Sequence, residues 1–242
     1  CDKEYVFKIE WGTSTASKDK EGEVIATSDV RPTRADIEGA LPNFIGDIEQ
    51  VPPKYSAIKI QGERAYDLVR EGETFEIPSR QVTVYEAELV SQDDPDHTTL
   101  RVVSGKGFYV RAMARDLAQA LGAEGHVSAL RRTRVGALDE TVAVQLSDLE
   151  ALAENKDALI DKLKPLQTIL DDVPRIEIDR GDAEALRLGR EVVLLPHLIE
   201  QWRAEADLES DDRLALAMAD KQAVALGEIR AGRFQPRKVF QL

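Results

Sequence analysis

Apolar and polar residues alternate from Tyr5 to Trp11 (YVFKIEW), the two-residue period of a strand with one buried face. Gly12 to Gly22 is polar and charged and reads as a loop, and Val24 to Thr27 as a short strand pairing back. Thr33 is placed to N-cap a helix in which Ile37, Ala40 and Leu41 recur at helical spacing, ending at Pro42 or Gly46. Gln50 to Arg70 is less regular. Pro52 and Pro53 exclude regular pairing, Ser56 to Ile60 suits a short strand, Gly62 marks a turn and Arg64 to Arg70 is helical. Gln81 to Val90 and Thr99 to Ser104 are strands separated by the loop DDPDH. Val110 to Leu121 is a helix stopped by Gly122, and Val127 to Thr133 is strand or loop.

Leu146 to Leu163 reads as one charged amphipathic helix before Pro165. From Val173 the pattern changes to short apolar runs (RIEIDR, EVVLL, LALAMA, AVALGEIR, RKVFQL) between charged turns, as in a small barrel. Asp182 to Leu188 forms a short helix among them, and the acidic stretch His197 to Asp212 an irregular insertion. The expected domains are therefore 1–172 and 173–242.

The 242 residues suffice for one large domain or a medium and a small one. No apolar run approaches the roughly eighteen residues of a membrane helix, and CDKEYVFKIEWG carries no secretory signal. Cytoplasm is the expected compartment. A single cysteine excludes an internal disulfide, and His97, His126 and His197 lie far apart without HxxxH or CxxC, so no metal is expected. Cys1 stands directly before a strand, which points to a piece of a longer protein.

The formal charge of −13 disfavours general attraction to nucleic acid. One stretch runs against it. Between Arg101 and Arg134 seven basic residues face two acidic ones, a local balance of +5 that suits a polyanion. Within it, Lys106-Gly107-Phe108-Tyr109-Val110-Arg111 joins strand to helix. Gly107 permits close backbone approach, and Arg111 can grip a phosphate or carboxylate with two donors. The same residues also fit an ordinary strand-turn-helix with a surface lysine and an arginine ion pair. Leu130-Arg131-Arg132-Thr133-Arg134 crowds three arginines, as an anion site or a strand edge guarded against aggregation. Tyr55, Lys59, Arg64 and Tyr66, interleaved with Pro52, Pro53 and Gly62, suit a flexible element that closes on nucleic acid. His126 is either a phosphate contact or a structural histidine. No GxSxG, Walker or GxGxxG motif is present.

Three ordered stretches resemble the TruB family of tRNA pseudouridine synthases: KEYVFKIEWG, QVPPKYSAIKIQGERAYDLVREGE and GKGFYVRAMARDLAQALGAEGHVSALRRTRVG. The resemblance covers most of residues 2–136, and the region from 173 resembles, more loosely, a PUA-like RNA-binding domain. It implies an α+β fold in which a mixed or antiparallel pseudouridine synthase sheet, incomplete at its N-terminus, is flanked by helices and followed by a small PUA-like β-barrel. It also implies isomerisation of uridine 55 in the tRNA T loop by base flipping, by a monomer without cofactor or metal. Tyr5 matches the tyrosine that stacks on the target base, and Arg111 the arginine that pairs with the catalytic aspartate. Leu130 matches the apolar wall of the uracil pocket and Lys106 the motif lysine beside it. Residues 50–75 match the thumb-like segment over the T stem-loop, placing Tyr55, Lys59 and Arg64 on RNA. Tyr109, His126, Arg131 and Arg132 are further expected substrate contacts. The family's GTLDPLA-type motif, which bears the nucleophilic aspartate, does not occur in the 242 residues. An isolated chain of this sequence is accordingly expected to be inactive, leaving Arg111 without its carboxylate. The alternative is a catalytically inactive tRNA-binding or chaperone module.

Overall fold

A computed structural model describes residues 1–60, 63–70, 73, 75–170, 172–205 and 213–240. Gly62, expected at a turn, lies outside them. The chain forms two compact units, Cys1–Val135 with Asp139–Thr141, and Gly136–Leu138 with Val142–Leu242.

In the first unit the elements in chain order are β1 (Lys3–Trp11), β2 (Thr13–Thr15), β3 (Val24–Thr27), α1 (Arg34–Ala40), β4 (Gly46–Gln50), β5 (Lys59–Ile60), β6 (Glu63–Arg64), α2 (Ala65–Arg70), β7 (Arg80–Asp94), β8 (His97–Ser104), α3 (Val110–Ala120) and β9 (Gly125–Val135), with β10 (Leu138–Asp139) at its margin. Six of the strands join in the order β10-β9-β1-β8-β7-β4. The pairs of β1 with β8 and β9, of β7 with β8 and of β4 with β7 are antiparallel. The expected alternation places Phe7, Ile9 and Trp11 in the core, where Leu100, Val102, Val82, Val84 and Val127 join them from neighbouring strands. Met113, Ala114, Leu117 and Ala118 of α3 and Ile37 of α1 complete that core. The stretch 127–133, ambiguous in sequence, is the interior of a strand beside β1. Thr33 caps α1 with a reciprocal capping box to Asp36.

The indole Nε1 of Trp11 donates to Thr98 Oγ1 at 2.8 Å, and both residues are buried. Thr98→Val keeps the shape but strands that donor, so it is expected to cost about 1–3 kcal/mol of stability in urea denaturation. Unchanged stability would show that the indole finds another acceptor.

The second unit holds α4 (Leu146–Ala151), α5 (Lys156–Ile160), α6 (Leu166–Ile169), β11 (Arg175–Glu177), α7 (Arg180–Arg187), β12 (Val192–Val193), α8 (Pro196–Glu205), β13 (Leu214–Ala219), β14 (Gln222–Arg230) and β15 (Arg233–Val239). Its strands pair in the order β11-β13-β14-β15-β12, with β11 parallel to β13 and the other pairs antiparallel. Gly227 is required here: a Cβ would lie 2.4 Å from the Gln235 carbonyl oxygen and 2.7 Å from the Phe234 ring.

Two expectations are corrected. Leu146 to Leu163 is not one helix but α4 and α5, because the Asn155 side chain caps a new start on Ala158 N and neither helix buries a residue to hold a longer one straight. The stretch from His197 is not irregular as far as Glu205: Leu198 and Trp202, four residues apart, bury one face of α8 against the second core. Residues 206–212 lie outside the described ones. By packing, Leu166 and Leu170 sit against Leu216, Met218 and Ala223 of the second sheet, within the second compact unit.

Candidate active site

The turn from β8 into α3 depends on Gly107, whose φ of +85° is a left-handed conformation costly for other residues. Tyr109 then N-caps α3 without a side-chain cap. Its backbone N–H instead donates to Gln50 Oε1 at 2.8 Å. Arg111 therefore occupies the first turn of a helix whose start is fixed on the end of β4.

The Arg111 guanidinium makes three bonds. Nη1 donates to Asp19 Oδ2 at 2.9 Å and to the Ser17 carbonyl at 3.0 Å, and Nη2 to the Tyr55 carbonyl at 2.7 Å. Asp19 is thus an acidic partner of Arg111 that reading the sequence does not identify. Asp19 reaches it because the 15–22 loop turns back at Lys18, in the left-handed region, whose carbonyl accepts from Val127 N. Ser17 Oγ at 2.5 Å and Glu21 N at 3.1 Å also donate to Asp19 Oδ1, so the carboxylate is oriented on both oxygens. Burial pushes the Lys18 ammonium down, Arg115 adding to this and Glu124 opposing it.

One turn along α3, Arg115 donates to the Val51 carbonyl at 2.9 Å and to Asp116 at 2.7 Å. Arg111 and Arg115 thus hold the carbonyls of Tyr55 and Val51, which flank the buried Pro52 and Pro53. Prolines offer no N–H, so side-chain donors to carbonyls are the available tether.

A cleft of about 480 Å³ is lined by Asp19, Arg111, Val127, Ser128, Ala129 and Leu130 among others. A second, of about 580 Å³, shares Asp19 and Arg111 and adds Tyr55. Leu130 is 52% exposed, an apolar side chain open to this space. Tyr5 is half-buried, packs against the core, and has its ring 6.3 Å from that of Phe108. Lys106 is exposed on the turn before α3. The Arg80 guanidinium lies 6.0 Å from the Tyr109 ring.

Other expected contacts stand apart. Lys59 and Arg64 pair across the β5–β6 hairpin, and Arg64 also donates to Tyr66 OH at 3.1 Å. Arg131 is exposed and ion-paired with Glu140, while Arg132 lies opposite Tyr5 across β1 and β9. His126 is only 6% exposed, with Nδ1 3.0 Å from the Thr13 carbonyl and 3.2 Å from Thr13 Oγ1. Its place is inside the sheet rather than on an open surface. No cluster of three or more His, Cys, Asp or Glu suited to a metal exists among the described residues. No helix among them is long and apolar enough to cross a membrane.

Beside Tyr5, Glu4 accepts from Thr133 Oγ1 at 2.7 Å and from Arg101 Nη2 at 2.6 Å. The Thr133 hydroxyl chiefly, with Arg101 and Arg134, holds the Glu4 carboxyl below its usual 4.5 against the opposing effect of burial. A folded value below the unfolded one means stability present above about pH 4.5 and lost as pH falls through the folded value. Glu4→Gln is therefore expected to lower the melting temperature at neutral pH, by a gap that narrows in acid. A gap constant from neutral pH into acid would contradict this.

The family model described as TruB family pseudouridylate synthase (N terminal domain) matches residues 1–110. That described as tRNA pseudouridylate synthase B C-terminal domain matches residues 111–171. A protein named tRNA pseudouridine synthase B from Caulobacter vibrioides is 51% identical over 242 residues, covering 100% of this chain and 77% of that protein. One of the same name from Bradyrhizobium diazoefficiens is 43% identical over 244 residues, covering 99% of this chain and 68% of its own length. Among solved structures, a Cbf5-Nop10-Gar1 complex includes a chain that superposes with a TM-score of 0.70 at 22% identity, covering 100% of this chain and 67% of that one, a likeness of fold. The oriented Arg111 at the head of α3 and the strand bearing Tyr5 both lie within the first two matches, and the chain belongs to the TruB family of pseudouridine synthases.

Proposed function

We propose that the full-length protein converts uridine 55 in the T loop of tRNA to pseudouridine. The observation that carries this reading is the Arg111 guanidinium, held on Asp19 and Tyr55 at the edge of a cleft that Leu130 also lines. In the reaction the bond from ribose C1′ to uracil N1 breaks, the base rotates, C1′ bonds to C5, and the C5 proton leaves while N1 gains one. A base in a folded loop must leave its stack first, and an aromatic face with an apolar wall offers it a replacement. Tyr5 supplies the face and is placed to assist removal of the C5 proton, and Leu130 supplies the wall. The aspartate nucleophile is carried by the family's GTLDPLA-type motif, upstream of these residues in the full-length protein. Arg111 keeps that carboxylate ionised by opposite charge. Asp19, already bound to Arg111, aims it.

Segment 50–75, with Tyr55, Lys59 and Arg64, closes over the T stem-loop. Lys106, Tyr109, Arg131 and Arg132 border the RNA path, and binding weakens steeply with salt as phosphate counterions are exchanged. His126, buried on Thr13, supports the sheet beneath that path. The second sheet acts as a PUA-like RNA-binding module. The enzyme works as a cytoplasmic monomer and needs neither cofactor nor metal.

The names of the Caulobacter and Bradyrhizobium relatives support the reaction class. Full-length protein incubated with tRNA tritiated at uridine C5 is expected to release one tritium per T loop. No release under conditions where tRNA binds would favour a binding module instead.

A further inference from the structure

The pairing of β1 with β9 slips twice. Lys8 faces Ala129 and Ile9 faces Val127, so Ser128 is an extra residue; Glu4 faces Arg134 and Tyr5 faces Arg132, so Thr133 is another. Both are β-bulges, and both extra residues carry a hydroxyl. Ser128 Oγ donates to the Lys8 carbonyl and Thr133 Oγ1 to the Glu4 carbonyl, each at 3.4 Å. Thr133 is fixed more firmly by its 2.7 Å bond to Glu4 Oε1, and Arg101 fixes that carboxylate in turn.

The consequence follows from the two-residue period of strands. Paired residues of an antiparallel ladder point to the same face, and a one-residue slip inverts every side chain beyond it. Phe7, on the core face of β1, is opposite Leu130. Without the Ser128 bulge, Leu130 would stand opposite Val6 and turn to the other face. With it, Leu130 shares the face of Tyr5 and Phe7 and lines the cleft with Arg111. The Thr133 bulge ends the inverted stretch at Tyr5 itself and returns Arg134 to the face of Glu4.

We propose that the Ser128 bulge puts Leu130 on the face of Tyr5, and that Thr133, whose bulge ends that register at Tyr5 and is anchored on Glu4, is the positioning residue for Tyr5. The inference rests on the proposed roles of Tyr5 and Leu130. Thr133 touches no reacting atom. It acts by fixing where the strand kinks, and bulges beside active sites re-aim side chains in this way.

The test compares Thr133→Val, which keeps the branched shape without the hydroxyl, with Thr133→Ser, which keeps the hydroxyl, in the full-length protein. In single-turnover pseudouridine formation at saturating tRNA, the valine variant should lose about tenfold in rate while tRNA affinity changes by less than about twofold. The serine variant should stay near the wild-type rate. Equal rates for valine and wild type, equal loss in valine and serine, or a loss confined to tRNA affinity would each overturn the proposal. Amide exchange at Glu4–Val6 in the free protein is read alongside. It should quicken in the valine variant but not in the serine one, and unchanged exchange would also overturn the proposal. Should the wild type not modify tRNA, the proposed activity fails and exchange alone decides whether Thr133 holds the kink. If the valine variant folds poorly, Glu4→Gln, which weakens the same anchor through loss of the Arg101 charge pair, should give the same split between rate and affinity, and a loss in affinity alone would overturn it.

Discussion

Arg111→Lys is expected to reduce the rate of pseudouridine formation at saturating tRNA by about a hundred- to a thousandfold, while the protein still folds and binds tRNA. The guanidinium serves Asp19, the Ser17 carbonyl and the Tyr55 carbonyl from two nitrogens in one plane. An ammonium is a point charge without that fork, so it can satisfy one partner only by leaving another. On the role proposed for Arg111, losing the aim of the group that holds a nucleophilic carboxylate damages the transition state more than the ground state, so the loss belongs in rate rather than affinity. Single-turnover kinetics with tritium release, beside a filter-binding titration, separate the two. An Arg111→Lys protein with a near-normal rate would remove Arg111 from the chemistry.

Tyr5→Phe is the second large effect. The ring, half-buried against Phe108, remains, so stacking on a flipped base survives. The hydroxyl is lost, and with it any proton transfer it assists, a contribution of about 10²–10⁴ in rate. The expected outcome is unaltered tRNA affinity, a trapped or slowly turning base, and a rate reduced on that scale. Tyr5→Ala should lose affinity for the flipped base as well. Equal rates for Tyr5→Phe and wild type would assign Tyr5 to stacking alone.

Much of the first sheet was legible because its strands bury one face. The alternation of β1, the flanking pattern of β7 and β8, the Thr33 cap and the apolar stripe of α3 all stand in the sequence. The residues of the proposed site, Tyr5, Lys106, Arg111 and Leu130, are named from the sequence because their identities are local. What the sequence conceals is register. Nothing in LRRTR tells that Thr133 is unpaired, because a bulge is a relation between two strands distant in the chain. Asp19 is hidden for the same reason. It sits in a polar loop, and only the left-handed turn at Lys18 and the bond from Val127 N to the Lys18 carbonyl bring it to α3. Gln50 and Arg115 act on backbone atoms of distant residues, which leave no signature of residue type. Leu146 to Leu163 reads as one helix because charge periodicity persists where no buried face sustains one.

The most direct test of the account is a map of pseudouridine in tRNA before and after exposure to the purified full-length protein, using unmodified transcripts and chemical marking read by primer extension. The account predicts a single new stop, at uridine 55 of the T loop, absent with Arg111→Lys protein. No new pseudouridine, or one placed elsewhere with position 55 untouched, would contradict it.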